Sequence, residues 1–490
     1  MNKGDFIHFV GIGGVSMSGI AIELARQGFN VSGSDASSSN ENEYLKEIEN
    51  FGQIRLFGGG HDAENVDPNT KHMVVTSTVS SKNPEVIRAY ELGIKILQRF
   101  EAVNLIVKEY KNRIGIFGGA GKTTTTALSF FLFQSAGLLP SLFLGSVMKN
   151  LKSSVHIEKR KEFCIFETDE SDASFQEMEM NAGIFVAMEK DHLEHKAYSG
   201  SYDKMKLCFQ NLLLKLASQN SPICYNEDSD EVEEMVKDIL SGYQNKKSFS
   251  LKNKNADFYA EGFKFTYGGM SFNIFHKGRI FIENTFMPLI GEFNALNVLG
   301  SLAMLSFFVE LDEVKFATLN LRSFEGIDKR QAKVGKFKNF DIIDDYAHSP
   351  LKIKSMLAGF TRYAKEIGAG VLPICEIHKI SRLESMYEAF VSSFNSIKFL
   401  VLMDVYQVAG YEEKSQDLIK FIEDVQKENK EIEIIYIPNR YLAKGLNELI
   451  KREEFKNKSL NFLLFFGAGL SSKFAKKMED ELKKLNREYY

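Results

Sequence analysis

Twice along this chain of 490 residues a short apolar run breaks into glycines and reopens with helical spacing. The first is FIHFVGIGGVSMSG at 6–19 and the second is RIGIFGGAGKTTTT at 113–126. A buried strand that leaves through glycines and enters a helix at once opens a β–α–β unit. Such units build parallel sheets with right-handed crossovers. After the first turn, Met17, Ile20, Ala21, Leu24 and Ala25 keep helical spacing until Gly28. The alternation continues through FNVSGSD, HMVVTSTV and GIKILQRFE, then EFCIFETDESD and AGIFVAMEKDH. It returns as FDIIDDYAHSP, AGVLPICEIH, SIKFLVLMDVY, EIEIIYIP and LNFLLFFGAG. The stretch 257–283 breaks it, because alternating apolar and polar residues around a Gly-Gly turn predict a hairpin set.

The expectation is an α/β chain of three domains, each on a mainly parallel sheet with flanking helices. Length alone sets a prior of about three domains, and the pattern places them at 1–105, 106–322 and 323–490. A net charge of -4 carries no global footprint for nucleic acid or a membrane surface. Four scattered cysteines without a CxxC spacing give neither a zinc site nor a disulfide framework. The chain enters a strand without a signal peptide, and no apolar run approaches the ~20 residues of a membrane span. A cytoplasmic protein is expected. Trp is absent and Phe numbers 41, so Phe fills the large core positions.

The second turn reads as a phosphate loop. Gly118, Gly119, Ala120 and Gly121 let backbone amides turn inward on phosphate oxygens at a helix N-terminus. Lys122 is placed to reach the outer phosphates and Thr123 to ligate Mg²⁺. Gly115 lies one residue too early for the strict spacing, so an ordinary strand–helix turn stays open. The first turn fits GxGxxG at Gly11 and Gly13 but has Ser16 in the third place, with Asp35 ending the next strand. A dinucleotide, a sugar nucleotide and a plain βα turn remain open there.

Glu167 in ETDESD is the candidate Mg²⁺ ligand beside Thr123, against a solvated acidic loop. Asn294 and Asn297 share a helix face suited to adenine, against Asn294 as a helix cap. His378 and Arg382 end a strand and open a helix, where Arg382 suits a carboxylate, against a plain surface arginine.

The runs HFVGIGGVSMSGIA, VSGSD, GKTTTT, ETDESDASF, DHLEH, FNALN, DDYAHSP and DVY resemble the Mur ligases, in that family's order. These are ATP-dependent, amide-forming enzymes of peptidoglycan synthesis. The resemblance spans nearly the whole chain. It implies a Rossmann-like N-terminal domain, a P-loop ATPase-like central domain with a β-hairpin insertion, and a Rossmann-like C-terminal domain. It assigns the first turn to the UDP part of UDP-N-acetylmuramate, through Gly11, Gly13, Gly14, Ser18, Asp35 and Ser77. It assigns the second to ATP, through residues 118–124 including Thr124, with Asn294, Asn297, Arg330 and Asp345. Lys122, His192 and Arg330 are the implied catalytic residues, and His192 would serve a second metal beside the Thr123–Glu167 pair. Read from the residues alone, His192 is a single histidine that also fits a structural role. Tyr346 and His348, with His378 and Arg382, would face L-alanine. A tripeptide acceptor, a non-catalytic sugar-nucleotide sensor and a nicotinamide oxidoreductase on the first turn are the alternatives. The chain departs from the family at Gly119 and Ala120, near Ala187, at Phe293, Lys329 and Ser349, and in EIHKISRL for QPHRYSRT.

Overall fold

The computed structural model describes residues 3–76, 78–193, 195–378, 380–406 and 415–487. Contacts divide the chain into two compact units. The first comprises Met1–Tyr259, His276–Arg279 and Asn297–Asn320, and the second Ala260–Phe275, Ile280–Leu296 and Leu321–Tyr490.

The first unit opens with a five-stranded parallel sheet. Its order is Arg55–Gly58, Asn30–Asp35, Phe6–Val10, Thr70–Val75, Lys95–Gln98. Phe6–Val10 is central and all but Phe6 are buried, as a strand covered on both faces requires. The helix Val15–Arg26 follows the first glycine turn. Ser154 Oγ donates to Val15 O at 2.8 Å, tying this helix to the strand Ser153–His156 of the next sheet.

That second sheet runs Lys246–Ser250, Ile223–Asn226, Ala182–Phe185, Asn112–Phe117, Phe163–Glu167, Pro140–Met148, Ser153–His156 in this unit. Every pair is parallel except the last. Phe117, which ends the strand before the second glycine turn, stacks on Phe185 at 4.9 Å, and Phe185 on Phe209 at 5.2 Å. Phe209 in turn stacks on Phe175 at 4.6 Å. Aromatic packing of this kind holds the strand end rigid beneath the loop that follows it. The alternating stretch forms three strands, Phe258–Thr266, Gly269–His276 and Arg279–Met287, with the turns at Gly268 and Gly278.

The second unit carries a six-stranded sheet in the order Ala332–Phe337, Phe340–Asp345, Asn461–Phe466, Gly370–Cys375, Phe399–Leu402, Glu433–Tyr436. Only the first pair is antiparallel. The neighbouring strands Phe340–Asp345, Asn461–Phe466 and Gly370–Cys375 are buried throughout or nearly so. Their carboxyl ends share one edge of the sheet, where open α/β sheets gather ligands. The charged tail forms the helix Ser471–Arg487. Among the described residues, no helix is long and apolar enough to cross a membrane.

Candidate active site

The second glycine turn has the backbone its composition demands. Gly118 (φ 119°) and Gly121 (φ 100°) sit in the left-handed region. A Cβ on Gly118 would strike the Ala187 carbonyl, and one on Gly121 would lie 2.8 Å from Asn297 Oδ1. The helix Lys122–Ser135 starts directly after them. Four consecutive threonines are poor helix formers, yet the structure gives three of their hydroxyls partners. Thr123 Oγ1 donates to Glu167 Oε1 at 2.7 Å, Thr125 Oγ1 to Asn297 Oδ1 at 3.1 Å, and Thr126 Oγ1 back to Lys122 O at 2.8 Å. Thr124 is buried in the same first turn.

Lys122 is 9% exposed. Its Nζ donates to Gly118 O at 2.7 Å and Gly119 O at 3.1 Å, and pairs with Glu170. Burial works against its charge, but the Glu170 and Glu167 carboxylates beside it hold its pKa above an ordinary lysine's. Glu167 is fixed from both sides, because Gly145 N donates to its other oxygen at 2.9 Å. The Thr123 hydroxyl and Glu167 carboxylate thus present a pre-set pair of hard oxygen donors. Among the described residues there is no cluster of three or more His, Cys, Asp or Glu ready to hold a metal. The donor pair fits Mg²⁺, which keeps several waters and takes one or two carboxylates plus phosphate oxygens.

His192 lies in the left-handed region (φ 59°). Its backbone amide donates to Asp191 Oδ1 at 2.9 Å, and its Nε2 stands 3.6 Å from Asp191 Oδ2. The two asparagines are both buried on the helix Phe293–Leu305. Asn297 belongs to the first unit and reaches the phosphate loop. Asn294 belongs to the second, where its Nδ2 donates to Ile290 O at 2.8 Å.

At the first turn the backbone amides are satisfied internally. Gly11 N and Ile12 N donate to Ser34 O at 2.8 and 3.0 Å, and Gly14 N to Gly11 O at 3.3 Å. Gly13 N donates to Asp35 Oδ2 at 2.9 Å, so the carboxylate expected at a ribose is folded back onto the turn. Ser18 is buried and bonds Val15 O. Ser77 lies outside the described residues.

The second unit gathers the remaining candidates at the carboxyl edge of its sheet. Gln331 N donates to Asp345 Oδ2 at 3.0 Å, and Tyr346 N to Lys329 O at 2.8 Å. These bonds staple the turn at 327–331 to the strand end. Arg330 is thereby set over the Tyr346 ring, 5.2 Å from its centroid. Lys329 (φ 58°) and Gln331 (φ 50°) flank it in the left-handed region, at a cost of roughly 1–3 kcal/mol each. Asp345 also accepts from Ala347 N at 2.8 Å, and burial lifts its pKa to about 6 although Arg330 pulls it down.

The Tyr346 and His348 rings meet edge to face at 4.8 Å, His348 lies 6.2 Å from His378, and His378 stacks on Tyr406 at 5.1 Å. Burial first, and then the Lys352, Arg382 and Arg330 cations, push the His348 pKa down to about 2. His348 is therefore neutral at physiological pH, inside a field built by three cations. Arg382 sits half-buried in the short helix Ile380–Ser385. The arrangement suits a small anion held against aromatic and imidazole walls.

Four residues here escaped the sequence reading. Glu170 and Glu189 face the phosphate loop, Tyr406 stacks on His378, and the buried Glu376 accepts the Gly469, Leu470 and Ser471 amides at 3.0, 2.9 and 3.1 Å. All four stand inside motifs already conspicuous (ETDESD, AMEKDH, DVY, EIH), but which member of a motif turns inward is set by the fold.

The three sheets and the glycine-built loop with its buried lysine and threonine–carboxylate pair define a multi-sheet α/β protein of the phosphate-loop type. The Mur ligase family catalytic domain matches residues 6–111 and the Mur ligase middle domain residues 116–305. A UDP-N-acetylmuramate–L-alanine ligase of Rickettsia felis is 30% identical over 97% of this chain and 96% of its own length. The crystal structure of a UDP-N-acetylmuramate–alanine ligase from Thermotoga maritima superposes with a TM-score of 0.76 at 22% identity, covering 98% of this chain and 99% of that one. A murein peptide ligase from Psychrobacter arcticus gives 0.65 at 18% identity, over 98% and 99% of the two chains. The chain belongs to the Mur ligase family, whose members depend on ATP.

Proposed function

We propose that this chain is an ATP-dependent ligase that joins L-alanine to the carboxylate of UDP-N-acetylmuramate in peptidoglycan precursor synthesis. The observation that carries the reading is the Thr123–Glu167 oxygen pair beside buried Lys122, in a chain aligned end to end with relatives of that name. A sugar carboxylate oxygen attacks the γ-phosphorus of ATP and ADP leaves, giving an acyl phosphate. The neutral amine of alanine then attacks the acyl carbon, and phosphate leaves from the tetrahedral intermediate.

In the first unit, the amides at 118–121 and Lys122 would take the nucleotide phosphates, with Thr124 and Asn297 beside them. Thr123 and Glu167 would hold Mg²⁺, which supplies charge neutralisation at the phosphates, and His192 a second metal. Gly11, Gly13, Gly14, Ser18 and Asp35 would take the UDP part. Support for this is the turn's place at the end of the central strand Phe6–Val10. In the second unit, Asp345 and Asn294 are the proposed nucleotide contacts and Arg330 the cation for the transferred phosphate. Tyr346, His348, His378 and Arg382 would receive the amino acid, with Arg382 gripping its carboxylate as a bidentate fork.

The same reading keeps three domains, at 1–105, 106–322 and 323–490. Sheet membership supports it, because the first sheet ends at Gln98 and the third begins at Ala332. The test is phosphate release from ATP by the full chain, with UDP-N-acetylmuramate and L-alanine omitted in turn. Release is expected only with both present. Release with a tripeptide but not with alanine would move the assignment to a recycling ligase. UDP-sugar binding without any release would make the chain a non-catalytic relative.

A further inference from the structure

An anion approaching the phosphate loop finds its attracting groups already engaged by the protein's own acids. Ala120 N, an amide of the loop, donates to Glu189 Oε1 at 2.6 Å. A Cβ added to Gly119 would lie within 3.0 Å of Glu189 Cγ, Cδ and Oε1, so the end of this side chain lies against the loop. Lys122, the loop's one cation, is paired with Glu170 in buried surroundings. Tyr198, fully buried, donates its hydroxyl to the Glu170 carbonyl and so fixes that acid's backbone.

A carboxylate resembles one edge of a phosphate: two anionic oxygens on one centre, able to accept from the same amide. Glu189 is half-buried and follows the strand Ala182–Phe185 by a few residues, so its side chain can swing away without disturbing the core. Glu167 is held through both oxygens by Thr123 and Gly145, in a position that suits a cation. Of these three acids around the loop, Glu167 and Glu170 are fixed, the latter by Lys122 and by Tyr198 at its backbone, and Glu189 is the displaceable one.

We propose that Glu189 is a resident competitor for nucleotide phosphate at the Ala120 amide, and that nucleotide binding to this loop is an exchange of one anion for another. This rests on the reading of the loop as the ATP site. Two consequences follow from charge. The affinity for nucleotide is set below what the loop alone would give, because a charged hydrogen bond must break first. The displaced carboxylate also remains near the incoming phosphates, so binding leans more heavily on a divalent cation than the Thr123–Glu167 pair alone would require.

The experiment is calorimetric titration of ADP into the full chain, with and without MgCl₂, for the unaltered protein and for Glu189→Ala and Glu189→Gln. Thermal melts confirm that all three are folded. Glu189→Ala is expected to bind ADP about tenfold more tightly, the scale of one charged hydrogen bond, and to lose less affinity when magnesium is withdrawn. Glu189→Gln, which keeps an acceptor but not the charge, should fall between. Equal or weaker ADP binding by Glu189→Ala, with clear binding by the unaltered protein, overturns the competitor and leaves the ATP site standing. Absence of ADP binding in all three proteins overturns the ATP site itself and the competitor with it.

Discussion

Replacing Asp345 with Asn isolates the electrostatic cost of a buried acid at a strand end of the second unit. Asp345 is 7% exposed, and burial raises its pKa to about 6 against the pull of Arg330. An acid whose pKa is higher folded than unfolded binds its proton more tightly in the native state. Its contribution to stability is complete at low pH and is lost as pH rises from the ordinary aspartate value through about 6. At 1.36 kcal/mol per pKa unit, the full loss is about 3 kcal/mol, of which roughly half has already occurred by pH 5.

Asn keeps the shape but turns an amide NH₂ toward either Gln331 N or Ala347 N, both of which now donate to the carboxylate. That lost bond costs about 1 kcal/mol at every pH. The two effects separate by their pH dependence. The stability difference between variant and unaltered chain should move toward Asn by roughly 1.5 kcal/mol between pH 5 and pH 8. Urea unfolding followed by circular dichroism at pH 5, 6, 7 and 8 measures it, since titrating groups that do not interact with Asp345 cancel in the difference. A difference that stays flat with pH, or moves toward Asp, refutes the reasoning.

Lys122→Ala should lower turnover by about 10²–10³-fold and leave UDP-sugar binding intact; an equal loss of UDP-sugar affinity would sink the division of labour between the two turns. Glu167→Ala should raise the Mg²⁺ concentration needed for half-maximal activity, and an unchanged titration would reduce the acid to a structural partner of Thr123. Arg382→Ala should raise the KM for L-alanine by about 10- to 150-fold, the scale of a lost charged hydrogen bond, with that for ATP unchanged. A defect in the ATP titration would place the guanidinium on the phosphate side instead. The His348 ring, with its pKa pushed down to about 2, should show flat imidazole proton shifts by NMR from pH 5 to 8, and a titration inside that range would refute the burial and the cation field assigned to it.

The sequence by itself determined the α/β class and the places where ligand-binding turns begin. Strand periodicity and glycines are local properties, so FIHFVGIGG and RIGIFGGAGK announce their conformation without knowledge of their neighbours. Thr123 and Glu167 were legible as candidates for the same reason, because one opens a helix after a glycine turn and the other ends an apolar strand.

Tertiary structure decided what each acid and cation does. Asp35, expected at a ribose, instead turns both oxygens onto its own turn, accepting from the Gly13 and Ser37 amides. Within ETDESD and AMEKDH, Glu167 meets Thr123, Glu170 meets Lys122 and Glu189 meets Ala120. Those partners lie 44 to 69 residues away for the two hydrogen-bonded acids. The neutral state of His348 likewise comes first from burial and then from cations, of which Arg382 and Arg330 stand on other segments of the chain. Backbone conformation answers to the nearest few residues, whereas a side chain's charge state and partner answer to whatever the fold brings within a few ångströms, and that is a sum over the whole chain.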